Sequence, residues 1–256
     1  MKTTLLVISL LYSVFLSGQD TTQVTVQKNK RVYIGANFSP DYCFRTLLNN
    51  DGSSFSASII DSYNKLDKPK FGYTSGVNVG YTLTKHISLE AGIQYSNKGF
   101  QTTNLYALTF GDMIDRRRGF VYNTNLSSSF LTSGKIVYRY NYLDVPLKVN
   151  FVFGKKKLHL ISSVGLTTNF LIRSTTSFVG ADSTGKSIKN SSITTNAYNR
   201  VNLSPMVSCG IEYMITAKMF FRIEPTFRFG ILKLSDTPVT QYLWNAGLNV
   251  SYYFKI

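Results

Sequence analysis

Apolar and polar residues alternate with a period of two along most of the chain after residue 30, the pattern of strands with one apolar and one polar face. The clearest run is 87–96: Ile87, Leu89, Ala91, Ile93 and Tyr95 take one face, while Ser88, Glu90, Gly92, Gln94 and Ser96 take the other. The last segment repeats the scheme, with Trp244, Ala246, Leu248, Val250, Tyr252 and Phe254 opposite Asn245, Gly247, Asn249 and Ser251. Six more runs begin at Val32, Phe71, Val145, Leu158, Val201 and Phe221. The periodicity predicts eight strands of roughly 10–15 residues, longer than the five or six usual in soluble sheets and long enough to cross a bilayer at a tilt.

The connections alternate in length. Residues 84–85, 154–156 and 216–217 make short turns, whereas 44–70, 100–135, 172–200 and the shorter 233–242 are polar stretches. Soluble domains rarely carry three structureless loops of that size. The expected fold is therefore all-β: an eight-stranded antiparallel transmembrane β-barrel with short periplasmic turns and long extracellular loops.

Charge decides which face points inward. Glu90, Asp144, Lys148, Glu212, Arg222, Glu224 and Arg228 all fall on the face that lacks aromatics, among Asn, Ser, Thr and Gly. Lipid cannot hydrate them, but a narrow lumen lets them pair. They are the expected lumen charge network, and they weigh against a soluble lipocalin-like carrier, whose apolar face would point inward. Aromatics near segment ends, namely Phe71, Tyr73, Tyr81, Tyr95, Phe100, Tyr138, Tyr140, Trp244, Tyr252 and Phe254, predict girdles at the two membrane interfaces.

The first residues read as an address. Lys2 precedes an apolar stretch over 5–16, then Ser17-Gly18, the order of a secretory signal peptide. The expected organisation is a signal peptide at 1–18, a periplasmic segment at 19–30 and a barrel domain at 31–256, located in the cell outer membrane.

Composition adds a partner class. Among 256 residues, 28 Lys and Arg face 13 Asp and Glu, a net charge of +15, which favours an anionic partner. No zinc-finger spacing, basic helix or RNP-type motif is present, so nucleic acid is not expected. Outer-membrane lipid and lipopolysaccharide are the expected partners. Within 100–135, Arg116, Arg117 and Arg118 form a run whose guanidinium forks suit phosphate; they are the candidate surface-binding residues, for lipopolysaccharide phosphates or an acidic protein. Cys43 and Cys209 match no metal or redox spacing and read as free thiols. No catalytic set, metal site or cofactor motif emerges: His86 and His159 map to the end with short turns, away from the long loops, and no Ser–His–acid group shares one end.

The segment Tyr140-Asn141-Tyr142-Leu143-Asp144-Val145-Pro146-Leu147 resembles a strand of the PorT-type outer-membrane β-barrel family of Bacteroidota. Leu89-Glu90-Ala91-Gly92-Ile93-Gln94-Tyr95-Ser96-Asn97-Lys98-Gly99 and the ending Asn245–Phe254 are similar to other parts of it. The resemblance spans roughly 31–256 and implies insertion by the barrel-assembly machinery, with no family catalytic residues. The functional expectation is a non-enzymatic outer-membrane barrel acting as an accessory subunit or as a surface-binding or envelope-structural protein, with a link to type IX secretion and an envelope protein partner. The alternative is a small outer-membrane enzyme acting on lipid or lipopolysaccharide.

Overall fold

The computed structural model describes residues 31–103, 112–115, 120–123, 131–154, 157–182 and 187–256. The expected signal peptide and the 19–30 segment, like Arg116, Arg117 and Arg118, lie outside the described residues.

Among the described residues, eight long strands form one closed ring. They are β1 (Val32–Asn49), β2 (Asp67–Thr82), β3 (Ile87–Thr102), β4 (Leu131–Phe153), β5 (Leu158–Asp182), β6 (Val201–Met214), β7 (Met219–Phe229) and β8 (Val239–Lys255). Each pairs antiparallel with its sequence neighbour, and β1 pairs with β8, from Tyr33 opposite Lys255 to Asn49 opposite Val239. No pairing edge of the ring is left open along its common height, which answers the aggregation hazard of an exposed strand. A short strand Ser187–Ile193 adds to the outer part of β5, and Asp112–Asp115 pairs with Phe120–Asn123 as a separate hairpin.

The apolar face is the outer wall. Leu147, Leu160 and Phe71 are 60%, 64% and 81% exposed, far more contiguous apolar surface than a monomer in water presents. From Trp244 to Phe254 the β8 wall spans ten residue steps. That is about 34 Å along the strand and about 25 Å of height at a tilt of roughly 40°, the thickness of an outer-membrane apolar band.

The strands outrun the sequence reading at the loop end. Residues 44–49 continue β1, 131–135 begin β4, and β5 runs on to Asp182. Above the lipid both faces of a strand can be polar, so the alternation that marks a strand lower down disappears. The expected loop 44–70 also holds a helix, α1 (Ser54–Leu66). Ser53 caps it, its hydroxyl accepting the Ser56 N–H at 3.1 Å. Ile59, Ile60 and Tyr63 pack on Leu47 and Val239 at the rim of the barrel.

Three of the expected girdle aromatics are inside instead. Phe100, Tyr138 and Tyr140 are buried, together with Tyr142, Leu171, Leu234 and Leu243, in a plug near the loop end. Their parity explains it: Phe100 is in phase with Glu90, and Tyr138 and Tyr140 with Asp144, so all three share the lumen face. Phe71, Tyr73, Tyr81, Tyr95, Tyr252 and Phe254 are exposed on the wall. Trp244 also faces outward, packing against Tyr42, Phe44 and Phe227. Both cysteines are free, Cys43 fully buried and Cys209 on the wall.

Candidate functional site

The lumen is filled in layers, and each layer follows from the inward-facing residue at that height. At the turn end Tyr33, Phe220 and Tyr253 form an aromatic floor, with ring centroids 4.9–5.3 Å apart. Tyr33 lies over Gly80, its direct partner on β2.

Above the floor sits the main charge cluster. Arg222 reaches Glu90 through Nη1 at 2.8 Å and Glu212 through Nε at 2.7 Å. Lys148 Nζ lies 3.0 Å from Glu90 and 3.5 Å from Glu224. Glu224 also accepts the Ser163 and Ser208 hydroxyls, each at 3.0 Å. Glu90 also accepts Tyr253 OH at 2.7 Å, Tyr33 OH at 3.3 Å and Asn150 Nδ2 at 3.2 Å. The Arg222 guanidinium rests within 5.3 Å of the three floor rings, a cation–π arrangement. His159 Nδ1 is 3.3 Å from Glu212, and His86 is exposed in the turn before β3.

An amide layer follows. Asn37 donates to Asn249 at 3.1 Å, Asn78 to Asn37 at 3.3 Å and Gln94 to Asn78 at 2.9 Å. Next come two acids, each with its own partners. Asp41 accepts Ser39, Thr74 and Asn245 at 2.7, 2.5 and 3.0 Å, with Arg228 Nη1 at 3.7 Å. Asp144 pairs with Lys98 at 3.2 Å and accepts Asn169 at 2.7 Å. The tyrosine plug closes the column. At the rim a buried Arg45–Asp67 pair ties β1 to β2, with Asn64 of α1 and Thr102 of β3 completing it.

All seven charged residues singled out in the sequence lie buried in this column. The structure divides them: Glu90, Lys148, Glu212, Arg222 and Glu224 meet in one cluster, whereas Asp144 and Arg228 belong to the layer above. Asp41, Arg45, Asp67 and Lys98 complete the column and were missed. Asp41, Arg45 and Lys98 keep the inward parity a few residues past the assigned strand ends, so parity could have found them. Asp67 could not be found that way. An extra residue in β2 between Pro69 and Tyr73 shifts its register against β3, and a bulge reverses the phase of alternation.

The chemistry of the column is that of a filled core. The oxygens of Glu90 and Glu224 are taken up by cations, hydroxyls and amides, leaving no lone pair aimed at open space for proton transfer. A cavity lined by Lys98, Tyr142, Asn169, Asn202, Ser204, Gly230, Leu243 and Asn245 measures about 10 Å³, room for no more than about one water. Among the described residues, no three His, Cys, Asp or Glu side chains group to hold a metal.

Solved structures similar to this chain include the following three. Neisserial surface protein A is 11% identical, with 88% of this chain and 97% of that one covered at a TM-score of 0.41. Ail of Yersinia pestis is 14% identical, covering 88% and 99% at 0.36. The outer membrane protease OmpT of Escherichia coli is 10% identical, covering 92% and 100% at 0.40. No curated protein matches the chain in sequence. The family model described as "outer membrane protein beta-barrel domain" matches residues 23–236, most of the chain. By that match, and in keeping with its closed ring of eight strands and its apolar wall, the chain belongs to the outer membrane protein beta-barrel domain family.

Proposed function

We propose that the protein is a sealed, non-conducting and non-enzymatic barrel of the outer membrane whose work is done on its outer surface, as a surface-binding or envelope-structural protein. The observation that carries this reading is the continuous column from the Tyr33–Phe220–Tyr253 floor to the Tyr140–Tyr142 plug. Eight strands leave an interior only wide enough for side chains, and here the side chains occupy it at every height. The orientation we assign puts the short turns in the periplasm and α1 with the longer connections outside.

A planar-bilayer recording of the purified protein tests the reading. We expect no steady conductance; stable open levels in most insertions would overturn it. The enzyme alternative draws no support from the site, because both histidines lie at the turn end and the carboxylates of the main cluster, Glu90 and Glu224, are taken up by cations, hydroxyls and an amide. Within the family, the PorT-type assignment and a role in type IX secretion rest on the motif at 140–147 and its companions. Crosslinking in intact cells tests that part separately, and recovery of a secretion component would assign the partner.

A further inference from the structure

The strand carboxylates and the strand cations are distributed differently. Among the described side chains of the eight strands, the acids are Asp41, Asp67, Glu90, Asp144, Glu212 and Glu224, and all are buried in the lumen. Five cations, Arg45, Lys98, Lys148, Arg222 and Arg228, are buried with them. The lumen is thus close to neutral, and the excess positive charge of the chain lies outside it. Part of that excess is gathered on the wall at one height, over β2 to β5.

Two β-bulges mark that height. The first, in β2 between Pro69 and Tyr73, accompanies the half-buried Lys70, whose Nζ donates to the Phe71 carbonyl at 3.0 Å, and the exposed Phe71. The second comes where Asn141 pairs with Arg173 but Tyr142 pairs with Leu171, so that Ile172 is the extra residue in β5. There Ile172 and Arg173 are both exposed. Each bulge therefore offers an apolar side chain beside a cation. Between them runs a hydrogen-bonded bridge: Lys70 Nζ donates to Asn97 Oδ1 at 2.6 Å, and Asn97 Nδ2 donates to Asn141 Oδ1 at 2.5 Å. Arg139 stands one step above Asn141 on β4, donating to Ser177 at 3.1 Å. Directly below the bridge the wall turns apolar and aromatic, with Tyr73, Tyr95, Leu143 and Phe170. Bulges recur where a protein must re-aim side chains at a functional site.

We propose that Lys70, Asn97, Arg139, Asn141 and Arg173 bind the headgroup of a phosphorylated glycolipid of the outer leaflet. Its phosphates meet the cations, its sugar hydroxyls meet the two amides, and its acyl chains lie along Tyr73, Tyr95 and Phe170. Lys70 and Arg173 stand three strand spacings apart, about 14 Å. A headgroup with a single phosphate cannot bridge both, whereas a sugar carrying phosphates at its two ends can. Arg is suited to such a site because its fork holds two phosphate oxygens. This deepens the surface-binding reading above and rests on its orientation of the barrel.

The test is native mass spectrometry of the folded barrel in detergent, titrated in turn with bisphosphorylated lipid A, monophosphorylated lipid A, phosphatidylglycerol and inorganic phosphate. We expect the bisphosphorylated glycolipid to bind best. Lys70→Gln with Arg173→Gln should weaken it about tenfold or more, while Lys218→Gln, at a turn on the opposite end, should leave it unchanged. The heat-dependent gel shift of the barrel confirms that each variant is folded. Equal binding by wild type and the double variant would overturn the proposal, as would equal binding of all four probes. A barrel that conducts but keeps the lipid preference would overturn the sealed-barrel reading alone; a silent barrel without the preference would overturn only this site.

Discussion

The lumen and the wall are built by the same eight strands, residue by alternate residue, yet they treat charge in opposite ways. Inside, a carboxylate is tolerated because a cation and several hydrogen-bond donors surround it: Glu90 meets Arg222, Lys148, two tyrosine hydroxyls and an amide. Outside, the band between the two aromatic borders presents Leu89, Ile93, Val145, Leu147 and Val164, and the cations on β2 to β5 begin only where that band ends. The difference is one of available partners. A charge facing hydrocarbon has none, so it is displaced to the edges. A charge in an eight-stranded lumen is close to the opposite wall, so partners arrive from strands far apart in sequence, as Arg222 of β7 reaches Glu90 of β3.

The largest effect should come from breaking the inner half of that comparison. Arg222→Met removes the cation shared by Glu90 and Glu212 and leaves both in a dry interior, where Glu90 keeps one cation, Lys148, and Glu212 keeps only its contact with His159. Removing one partner of a buried pair costs about 3–5 kcal/mol, a large share of the stability of a small domain. Denaturant unfolding in lipid vesicles, followed by Trp244 fluorescence, would show it. An Arg222→Met variant as stable as wild type would mean that the cluster is hydrated and the lumen open.

The outer half is broken by the converse change. Leu147 lies mid-wall on β4, opposite Ala91 on β3 and Leu166 on β5. Leu147→Arg places there the charge type that the lumen accepts a few ångströms away, and should cost about 2–4 kcal/mol in a bilayer. Arg139→Leu, at the polar border, should leave unfolding stability almost unchanged. If the two substitutions cost the same, the apolar band has been placed at the wrong height.

The comparison also explains what the sequence could disclose. Strict alternation made the lower barrel legible, because above the Tyr33–Phe220–Tyr253 floor the inward positions are mostly polar and the outward ones mostly apolar; Glu90, Lys148, Glu212, Arg222 and Glu224 follow from parity alone. The division of the seven charges into two layers did not follow, since height in a barrel depends on the register between strands. Near the loop end the rule fails for two physical reasons. Phe100, Tyr138 and Tyr140 are apolar enough to suggest the wall, although their phase puts them in the lumen. The bulges in β2 and β5 reverse the phase, so Asp67 and Arg173 fall on faces that counting by twos does not assign. The belt of Lys70, Asn97 and Asn141 is a relation between three strands and leaves no local signal in any of them.

A smaller effect sharpens the comparison at its narrowest point, where lumen and wall are separated by a glycine. Gly80 faces the lumen opposite Tyr33, and a Cβ built there would lie 1.9 Å from Tyr33 Cζ. The end of a surface tyrosine would simply swing away. Tyr33 is only 2% exposed, its hydroxyl is held by Ser88 at 3.0 Å and Asn150 at 3.3 Å, and its ring is wedged against Phe220 and Tyr253. Gly80→Ala therefore cannot be absorbed by one rotation; it must displace the floor and, through Arg222, disturb the cluster above. Overpacking of this kind costs about 1–3 kcal/mol. Ala at the neighbouring outward position, Val79→Ala, should lose only packing against lipid and cost less. The ratio of the two costs reads directly whether the floor is a rigid layer. If Gly80→Ala is the milder of the pair, Tyr33 has room to move and the turn end of the lumen is looser than its rings and hydrogen bonds require.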